Sequence, residues 1–178
     1  VFQVILNFCS QYLSAFFFDV RKDSLYCDSK KSGIRKSCRT VMYDVFECLI
    51  TWLAPIIPFT AEEAWQSWKS EIDNKQLISC HLLKFKKLPE TWKLGQKSFV
   101  WEKIFQLRDT FSFAMEKNRQ LKEIKSGLEV KVTIYDKENF FLKILKDFDL
   151  TKILIVSKIE VSDKFDTNFN FLPNNKNL

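Results

Sequence analysis

Polar residues recur at the spacing of one helical turn along two long apolar stretches, and this periodicity constrains the fold more than any other feature. In residues 1–21 the polar positions are Gln3, Asn7, Ser10 and Ser14. In residues 33–54 they are Thr40, Asp44, Glu47 and Thr51. Spacing of three and four places each set on one helix face, so we predict two helices. The first is apolar over most of its circumference, so we expect it to be buried between several neighbours, including a partner upstream.

Two further helices are predicted from their start signals. A pair of prolines ends the second helix, and the segment from Thr60 to Glu63 that follows matches a capping box. This box starts a third helix, over about residues 61–70. Ser98 is the expected cap of a long helix that runs to about residue 125, where lysines crowd its last turns.

The hydrophobic period changes after the long helix. Apolar and polar residues alternate over residues 128–134, which is typical of a strand, whereas residues 137–148 have a helical pattern. The apolar run over 153–159 is predicted as a second strand, which completes a small β-α-β unit. A short extended stretch is also expected at residues 78–82.

The sequence therefore predicts a mainly α fold followed by a small α/β extension. We expect a helical bundle over residues 1–97 and a long helix with the β-α-β unit over residues 98–162. Only three glycines and four prolines are present, which disfavours a turn-rich all-β fold. The polar, asparagine-rich residues 163–178 are predicted to be a flexible tail.

Most of the net positive charge lies in one window, residues 21–39, which we call the basic segment. The whole chain has a formal net charge of +6. Seven bases against two acids give the basic segment a charge of +5, and the remaining residues are nearly neutral. A local field of this sign favours a phosphate backbone or another polyanion. On composition alone, an ordinary solvated loop remains equally open.

Nothing in the composition indicates catalytic, metal or membrane chemistry. Zinc sites need about four closely spaced nitrogen or sulfur ligands, but the five cysteines form no CxxC pair and His81 is the one histidine. We expect no metal, no cofactor and no catalytic residue in this segment. Unpaired thiols are typical of a reducing, cytoplasmic location. The sequence contains no run of about 18 apolar residues, which a membrane-spanning helix would need.

Two long segments stand out, LSAFFFDVRKDSLYCD at 13–28 and LITWLAPIIPFTAEEAW at 49–65. Both closely resemble segments of bacterial isoleucyl-tRNA synthetases. The proline-phenylalanine-threonine element of the second is shared more loosely by the valyl and leucyl enzymes, and the first segment favours isoleucyl. Weaker matches continue to about residue 160, at His81-Leu82, Trp101–Ile104 and Leu128-Glu129.

The resemblance implies the anticodon-binding helical bundle of a class I synthetase, with the small α/β extension after it. The parent would be an isoleucine–tRNA ligase that uses ATP and magnesium in a catalytic domain, whose HIGH and KMSKS motifs are absent here. It implies tRNA(Ile) and the upstream parts of the same chain as partners, and we expect a monomer. The alternatives are the equivalent region of a valyl enzyme, or a helical protein-docking module that binds no RNA.

The expected tRNA contacts are the bases of the basic segment and one tyrosine. They are Arg21, Lys22, Tyr26, Lys30, Lys31, Arg35, Lys36 and Arg39. The cations suit phosphates, and Tyr26 is the candidate for stacking on an unpaired base. Asp19 and Asp23 are expected to orient neighbouring cations through ion pairs. Glu63 is expected to serve as a helix cap.

Overall fold

The computed structural model describes residues 1–72, 78–95 and 97–164. The chain divides into two compact units, the first from Val1 to Trp92 and the second beginning at Lys93. The fold is mainly α with one small parallel sheet, as predicted. No helix within the described ranges is both long and apolar enough to cross a membrane. Most of the predicted tail, from residue 165 onward, lies outside the described residues.

The first unit opens with one long helix made of three segments. They are α1 (Phe2–Asn7), a π-helical segment (Phe8–Phe18) and α2 (Asp19–Tyr26). The predicted helix is confirmed, but its predicted burial is wrong, because Ile5 is the one fully buried side chain among residues 1–18. It is the α2 segment that packs against the next helix. Burial on all sides needs several neighbours, which the described residues do not supply.

The second helix, α3 (Gly33–Leu53), closely matches its prediction. The Ser32 side chain caps it by accepting a hydrogen bond from the Arg35 backbone N–H at 3.4 Å. The third, α4 (Pro58–Ile72), begins earlier than predicted. Proline fits the first helical position because its missing N–H would have no partner there. Thr60 therefore lies inside the first turn and the proposed capping box is wrong.

The core of the first unit lies where α3, α4 and a short 3₁₀ turn (Cys80–Leu82) meet. Its buried members are Ile50, Ala54, Ala61, Trp65 and Cys80. Within the predicted extended stretch 78–82, residues 80–82 instead form this turn, whose start is held by the Glu62 carboxylate. That carboxylate accepts hydrogen bonds from Ser79 Oγ at 2.8 Å and from the Cys80 backbone N–H at 2.9 Å.

A lysine fastens the following segment to α3. Lys86 Nζ lies 2.5 Å from Asp44 Oδ1 and 2.7 Å from Glu47 Oε2, and it also lies over the Tyr43 ring. These two carboxylates raise the Lys86 pKa. Asp44 and Glu47 belong to the predicted polar face of α3, which therefore carries a tertiary contact and is not simply a solvent face.

The second unit is built on α5 (Lys97–Gln120), which buries Ile104 and Met115. The predicted helix is confirmed, but it begins one residue before the expected Ser98 cap and ends before residue 125. Lys122, with a φ of 59°, lies just beyond its end. The Arg108 guanidinium donates a hydrogen bond to the Ile153 carbonyl, which joins α5 to the segment that follows the first strand.

The small sheet has the predicted β-α-β connection, but its second strand begins later in the chain than predicted. Strands β1 (Lys131–Tyr135) and β2 (Lys158–Ser162) pair in parallel, and α6 (Phe140–Ile144) and α7 (Leu150–Leu154) lie between them in the chain. The strand predicted over 153–159 is wrong over 153–156, because Ile153 and Leu154 are buried helical residues, and only its end at Ile159 lies in β2. A short apolar run fits a buried helix as well as a strand.

Candidate nucleic-acid interface

The basic segment begins within α2, includes the turn at residues 27–32 and ends in the first turns of α3. Asp28 organises this turn, because its side chain accepts a hydrogen bond from Ser32 Oγ at 3.0 Å. Its backbone carbonyl accepts a second from Arg35 Nη1 at 2.6 Å. The turn is therefore tied directly to the start of α3.

The predicted contact residues differ in how far they are available to a partner. Arg21 and Arg35 are partly buried, and the others are exposed: Lys22, Tyr26, Lys30, Lys31, Lys36 and Arg39. Arg35 is engaged with the Asp28 carbonyl, so its main contact is to the chain itself. Within the described ranges, no carboxylate lies in ion-pair distance of Lys30, Lys31, Lys36 or Arg39. These four cations form an uncompensated positive surface.

Of the two acids expected to orient cations, Asp19 does so. Its carboxylate lies 3.1 Å from Lys22 Nζ, one turn along the helix, which confirms that part of the prediction. Both side chains are partly exposed, so the pair contributes only about 0–1 kcal/mol to stability. For Asp23, the structure gives an exposed side chain, and its backbone carbonyl accepts from the Cys27 N–H.

A cleft lies between the first helix and α3, and we call it the α2–α3 cleft. Its volume is about 460 Å³, and it is lined by Ser14, Phe18, Asp19, Lys22, Leu25, Tyr26 and Met42. Two predicted contact residues, Lys22 and Tyr26, therefore share one concave surface. Met42 lies three residues after Arg39, which places both on neighbouring parts of one α3 face.

Sequence reasoning missed Asp28 and Met42. In the sequence, Asp28 is simply one of the two acids of the basic segment, although its position four residues before Ser32 favours a structured turn. Met42 gave no signal, because a methionine at helical spacing is normally read as core. Its partly exposed position in the α2–α3 cleft is a tertiary result of how α2 packs on α3.

Within the described ranges, a possible metal-ligating group is formed by Glu62, Cys80 and His81, whose ligand atoms lie within 4.8 Å of one another. Hydrogen bonds account for this arrangement. Those from Gln66 and Cys80 lower the Glu62 pKa to about 2, and burial together with the Glu62 carboxylate raises the Cys80 pKa to about 11.

Comparison with known families decides what kind of domain carries this surface. Residues 1–134 match the model of the anticodon-binding domain of tRNA ligases. The chain belongs to this family. The match covers the whole basic segment, the α2–α3 cleft and α5, and it ends within β1.

Curated relatives agree with the family match, and they are isoleucine–tRNA ligases. The chain is 38% identical over 159 residues to that of Agrobacterium fabrum, covering 89% of this chain and 16% of the relative. It is 37% identical over 164 residues to that of Bartonella quintana, covering 91% and 16%. For Pelagibacter ubique the identity is 39% over 157 residues, covering 88% and 17%. This anticodon-binding chain thus spans about a sixth of each relative.

Proposed function

We propose that the chain is the tRNA-recognition segment of an isoleucine–tRNA ligase, and that its basic segment binds the anticodon stem-loop of tRNA(Ile). One observation carries the proposal. In a chain of the anticodon-binding family, four exposed cations lie in and just after a turn that Asp28 braces, and none of them has a carboxylate in ion-pair distance among the described residues. A braced turn keeps these cations in place before RNA arrives, which lowers the ordering cost of binding.

The residues of the basic segment have different roles in this proposal. Lys30, Lys31, Lys36 and Arg39 contact phosphates, and Lys22 and Tyr26 contact the loop from the α2–α3 cleft. Arg35 acts mainly by holding the turn, since its guanidinium is bonded to the Asp28 carbonyl. Arg21, which is partly buried and does not line the cleft, is the most peripheral member of the set.

The activity of the whole protein follows the same proposal. Its relatives are named isoleucine–tRNA ligases, so we infer that the parent joins isoleucine to tRNA with ATP and magnesium bound in another part of the chain. We propose that this segment itself binds no cofactor. We further propose the divisions 1–97, 98–162 and 163–178, a monomer, and a cytoplasmic location.

Of the alternatives, the valyl enzyme is not favoured, because the relatives described above are isoleucine–tRNA ligases. The protein-docking alternative differs in its salt dependence. Binding to RNA through several phosphates releases counterions, so the logarithm of affinity falls with the logarithm of salt concentration, by about 0.7 per single-stranded contact. Binding of a protein would release no counterions from phosphates, so its affinity should depend much less on salt concentration.

The test is a pair of matched charge reversals in this chain. We expect Lys30→Glu/Lys31→Glu to weaken tRNA(Ile) binding by at least about tenfold and to flatten the salt slope by about one to two contacts. Lys84→Glu/Lys87→Glu is the control, because it makes the same change in net charge at exposed lysines of the first unit. Equal effects of the two variants, or no salt slope in the parent chain, would refute the proposal.

A further inference from the structure

Three side chains with different metal-binding groups meet where α4 contacts the 3₁₀ turn of the first unit. They are the Glu62 carboxylate, the Cys80 thiol and the His81 imidazole, whose ligand atoms all lie within 4.8 Å of one another. Glu62 belongs to α4, whereas Cys80 and His81 are the first two residues of the turn. Because Glu62 and Cys80 are 18 residues apart in the chain, tertiary packing assembles this group and sequence spacing does not reveal it.

Hydrogen bonds hold the carboxylate and the thiol next to each other. Glu62 Oε2 accepts from Ser79 Oγ and from the Cys80 backbone N–H, and Glu62 Oε1 accepts from Gln66 Nε2. The Cys80 thiol donates a further hydrogen bond to the same carboxylate. The thiol proton therefore lies between two groups that are both anionic without it. A divalent cation can take the place of this proton, and the remaining hydrogen bonds keep the carboxylate oriented, as outer contacts do in metal sites.

His81 can supply the third ligand from the solvent side. Its side chain is exposed, and its backbone N–H is fixed by a hydrogen bond to Ser79 Oγ, so the ring can rotate on a held backbone. Zinc binds sulfur at about 2.3 Å and imidazole nitrogen at about 2.0–2.1 Å, which places tetrahedral ligands about 3.5 Å from one another. Ligand atoms within 4.8 Å therefore need to close by only about 1 Å.

A buried oxygen beside this group has no partner. Gln66 Nε2 bonds Glu62, but in the part of the chain that the structure describes Gln66 Oε1 accepts no hydrogen bond although it is buried. Buried polar atoms in native proteins nearly always have a partner, so an orphaned oxygen indicates a place for a donor. A water molecule bound to a metal ion is a strong donor, and three protein ligands leave the fourth position of zinc to such a water.

We propose that Glu62, Cys80 and His81 bind one Zn²⁺ ion, with water as the fourth ligand. Thiolate and imidazole suit zinc, whereas magnesium and calcium prefer oxygen ligands alone. When the ion binds, the Cys80 thiol releases its proton to solvent, so the two anionic ligands balance the charge of the ion. This metal site departs from the expectation drawn from the sequence.

The ion joins α4 to the 3₁₀ turn at the core of the first unit. It is a cross-link within the fold, not a cofactor of the proposed ligase reaction. None of its ligands belongs to the basic segment or to the α2–α3 cleft. The proposal therefore stands or fails independently of tRNA binding.

The first experiment uses Co²⁺ as a coloured substitute for Zn²⁺ in the complete, reduced and metal-free chain. We expect one Co²⁺ per chain, with the charge-transfer absorption of a thiolate ligand, and displacement of the Co²⁺ by Zn²⁺. His81 is the one histidine of the chain, so its imidazole NMR signals report the third ligand without ambiguity, and we expect them to shift on addition of Zn²⁺. Absence of the charge-transfer absorption at saturation, or unmoved imidazole signals, overturns the proposal.

The second experiment assigns the ligands by substitution. Cys80→Ser should abolish the charge-transfer absorption, and His81→Gln should weaken Zn²⁺ binding by at least about tenfold. Because His81 is exposed, its variant tests the site even if Cys80→Ser fails to fold. Cys27→Ser is the control, because it removes an exposed thiol far from the turn in the sequence. Loss of the absorption in Cys27→Ser, or an unchanged affinity of His81→Gln, identifies an adventitious ion only and overturns the proposal.

The third experiment measures the cross-link through thermal stability. An ion that binds only the folded chain raises its melting temperature, by at least about 5 °C at a Zn²⁺ concentration one hundred times the Kd. We expect this rise in the parent chain and in Cys27→Ser, and not in His81→Gln at the same Zn²⁺ concentration. Equal rises in the parent chain and in His81→Gln overturn the proposal.

Discussion

At the scale of single residues, the basic segment combines exposed cations with polar groups that hold its own turn in shape. Asp28 reduces the positive charge of the segment, yet its side chain and its carbonyl bond Ser32 and Arg35. A carboxylate near RNA is unfavourable for phosphate binding but favourable for holding a turn. Counting charges therefore locates such a surface, but it does not show which residues are exposed cations and which hold the turn.

Gly127 gives a sharp prediction for the second unit. A Cβ at this position would lie 2.5 Å from the Ile155 backbone carbonyl oxygen, which cannot move without shifting the chain. We expect Gly127→Ala to lower the free energy of unfolding by about 1–3 kcal/mol, as overpacking does. Gly33→Ala is the control, because nothing lies within 4 Å of its added Cβ. Thermal unfolding of both variants makes the comparison, and equal melting temperatures would contradict it.

Glu62 predicts a pH dependence of stability. Hydrogen bonds from Gln66 and Cys80 lower its pKa in the folded state from 4.5 to about 2. Its contribution to stability is therefore present above about pH 4.5 and is lost as the pH falls toward 2. We expect Glu62→Gln to be less stable than the parent chain at pH 7, and this difference to shrink toward pH 2. Chemical denaturation at several pH values measures it.

The exposed neighbour Glu63 provides the control for this prediction. Glu63→Gln makes the same change of charge at an exposed position of α4, and we expect it to cost less stability at pH 7 than Glu62→Gln. Other carboxylates also titrate in this range, among them Glu160, whose pKa is lowered to about 2 by Lys131 and Lys158. A constant difference between Glu62→Gln and the parent chain from pH 7 to pH 2 would argue against the Glu62 contacts.

At the scale of helices and strands, long periodic segments were predictable and short apolar ones were not. The pattern over 33–54 placed α3 almost to the residue, because many turns contribute to the same signal. The apolar run at 153–156 is too short for several turns to contribute to one signal. It folds as the end of α7 and the residues that follow. In α7 the Asp149 side chain accepts from the Lys152 N–H, a local cap that outweighs the β-propensity of the run.

The candidate site shows the same difference between features that were predictable from the sequence and features that were not. The helices that carry the basic segment were predictable from hydrophobic period, and its charge was evident from composition. The α2–α3 cleft was not, because it depends on which face of α2 packs against α3. The exposure of the first helix was not predictable either, because an apolar circumference does not show how many neighbours a helix has.

Ser32, which caps α3, also holds the turn on which the proposed tRNA binding depends. Ser32 accepts from the Arg35 N–H and donates to Asp28, so it belongs to both the helix start and the turn. We expect Ser32→Ala to lower the free energy of unfolding by about 1 kcal/mol and to weaken tRNA binding through loss of the braced turn. Ser37→Ala, at an exposed position inside α3, should change neither quantity measurably. Identical tRNA affinity of the two variants would show that bracing the turn is unimportant.

At the scale of the whole molecule, the chain combines a strongly positive segment with a nearly neutral remainder. The formal net charge of +6 and the +5 of residues 21–39 mean that the long-range field has one main source. Such a field orients a polyanion during approach as well as holding it afterward. Residues outside the basic segment, including the second unit, can therefore be neutral overall without weakening the attraction.

The proposed division of labour predicts what this chain does not do. Forming an aminoacyl adenylate requires a site that aligns a carboxylate with the α-phosphate of ATP and stabilises the charge that develops there. With one histidine and three glycines, the chain has few of the groups used for this purpose. We expect no isoleucine-dependent exchange of pyrophosphate into ATP by the chain, although it binds tRNA. Exchange above that of a heat-denatured sample, and sensitive to Asp19→Asn, would place chemistry in the α2–α3 cleft and contradict a purely recognising role.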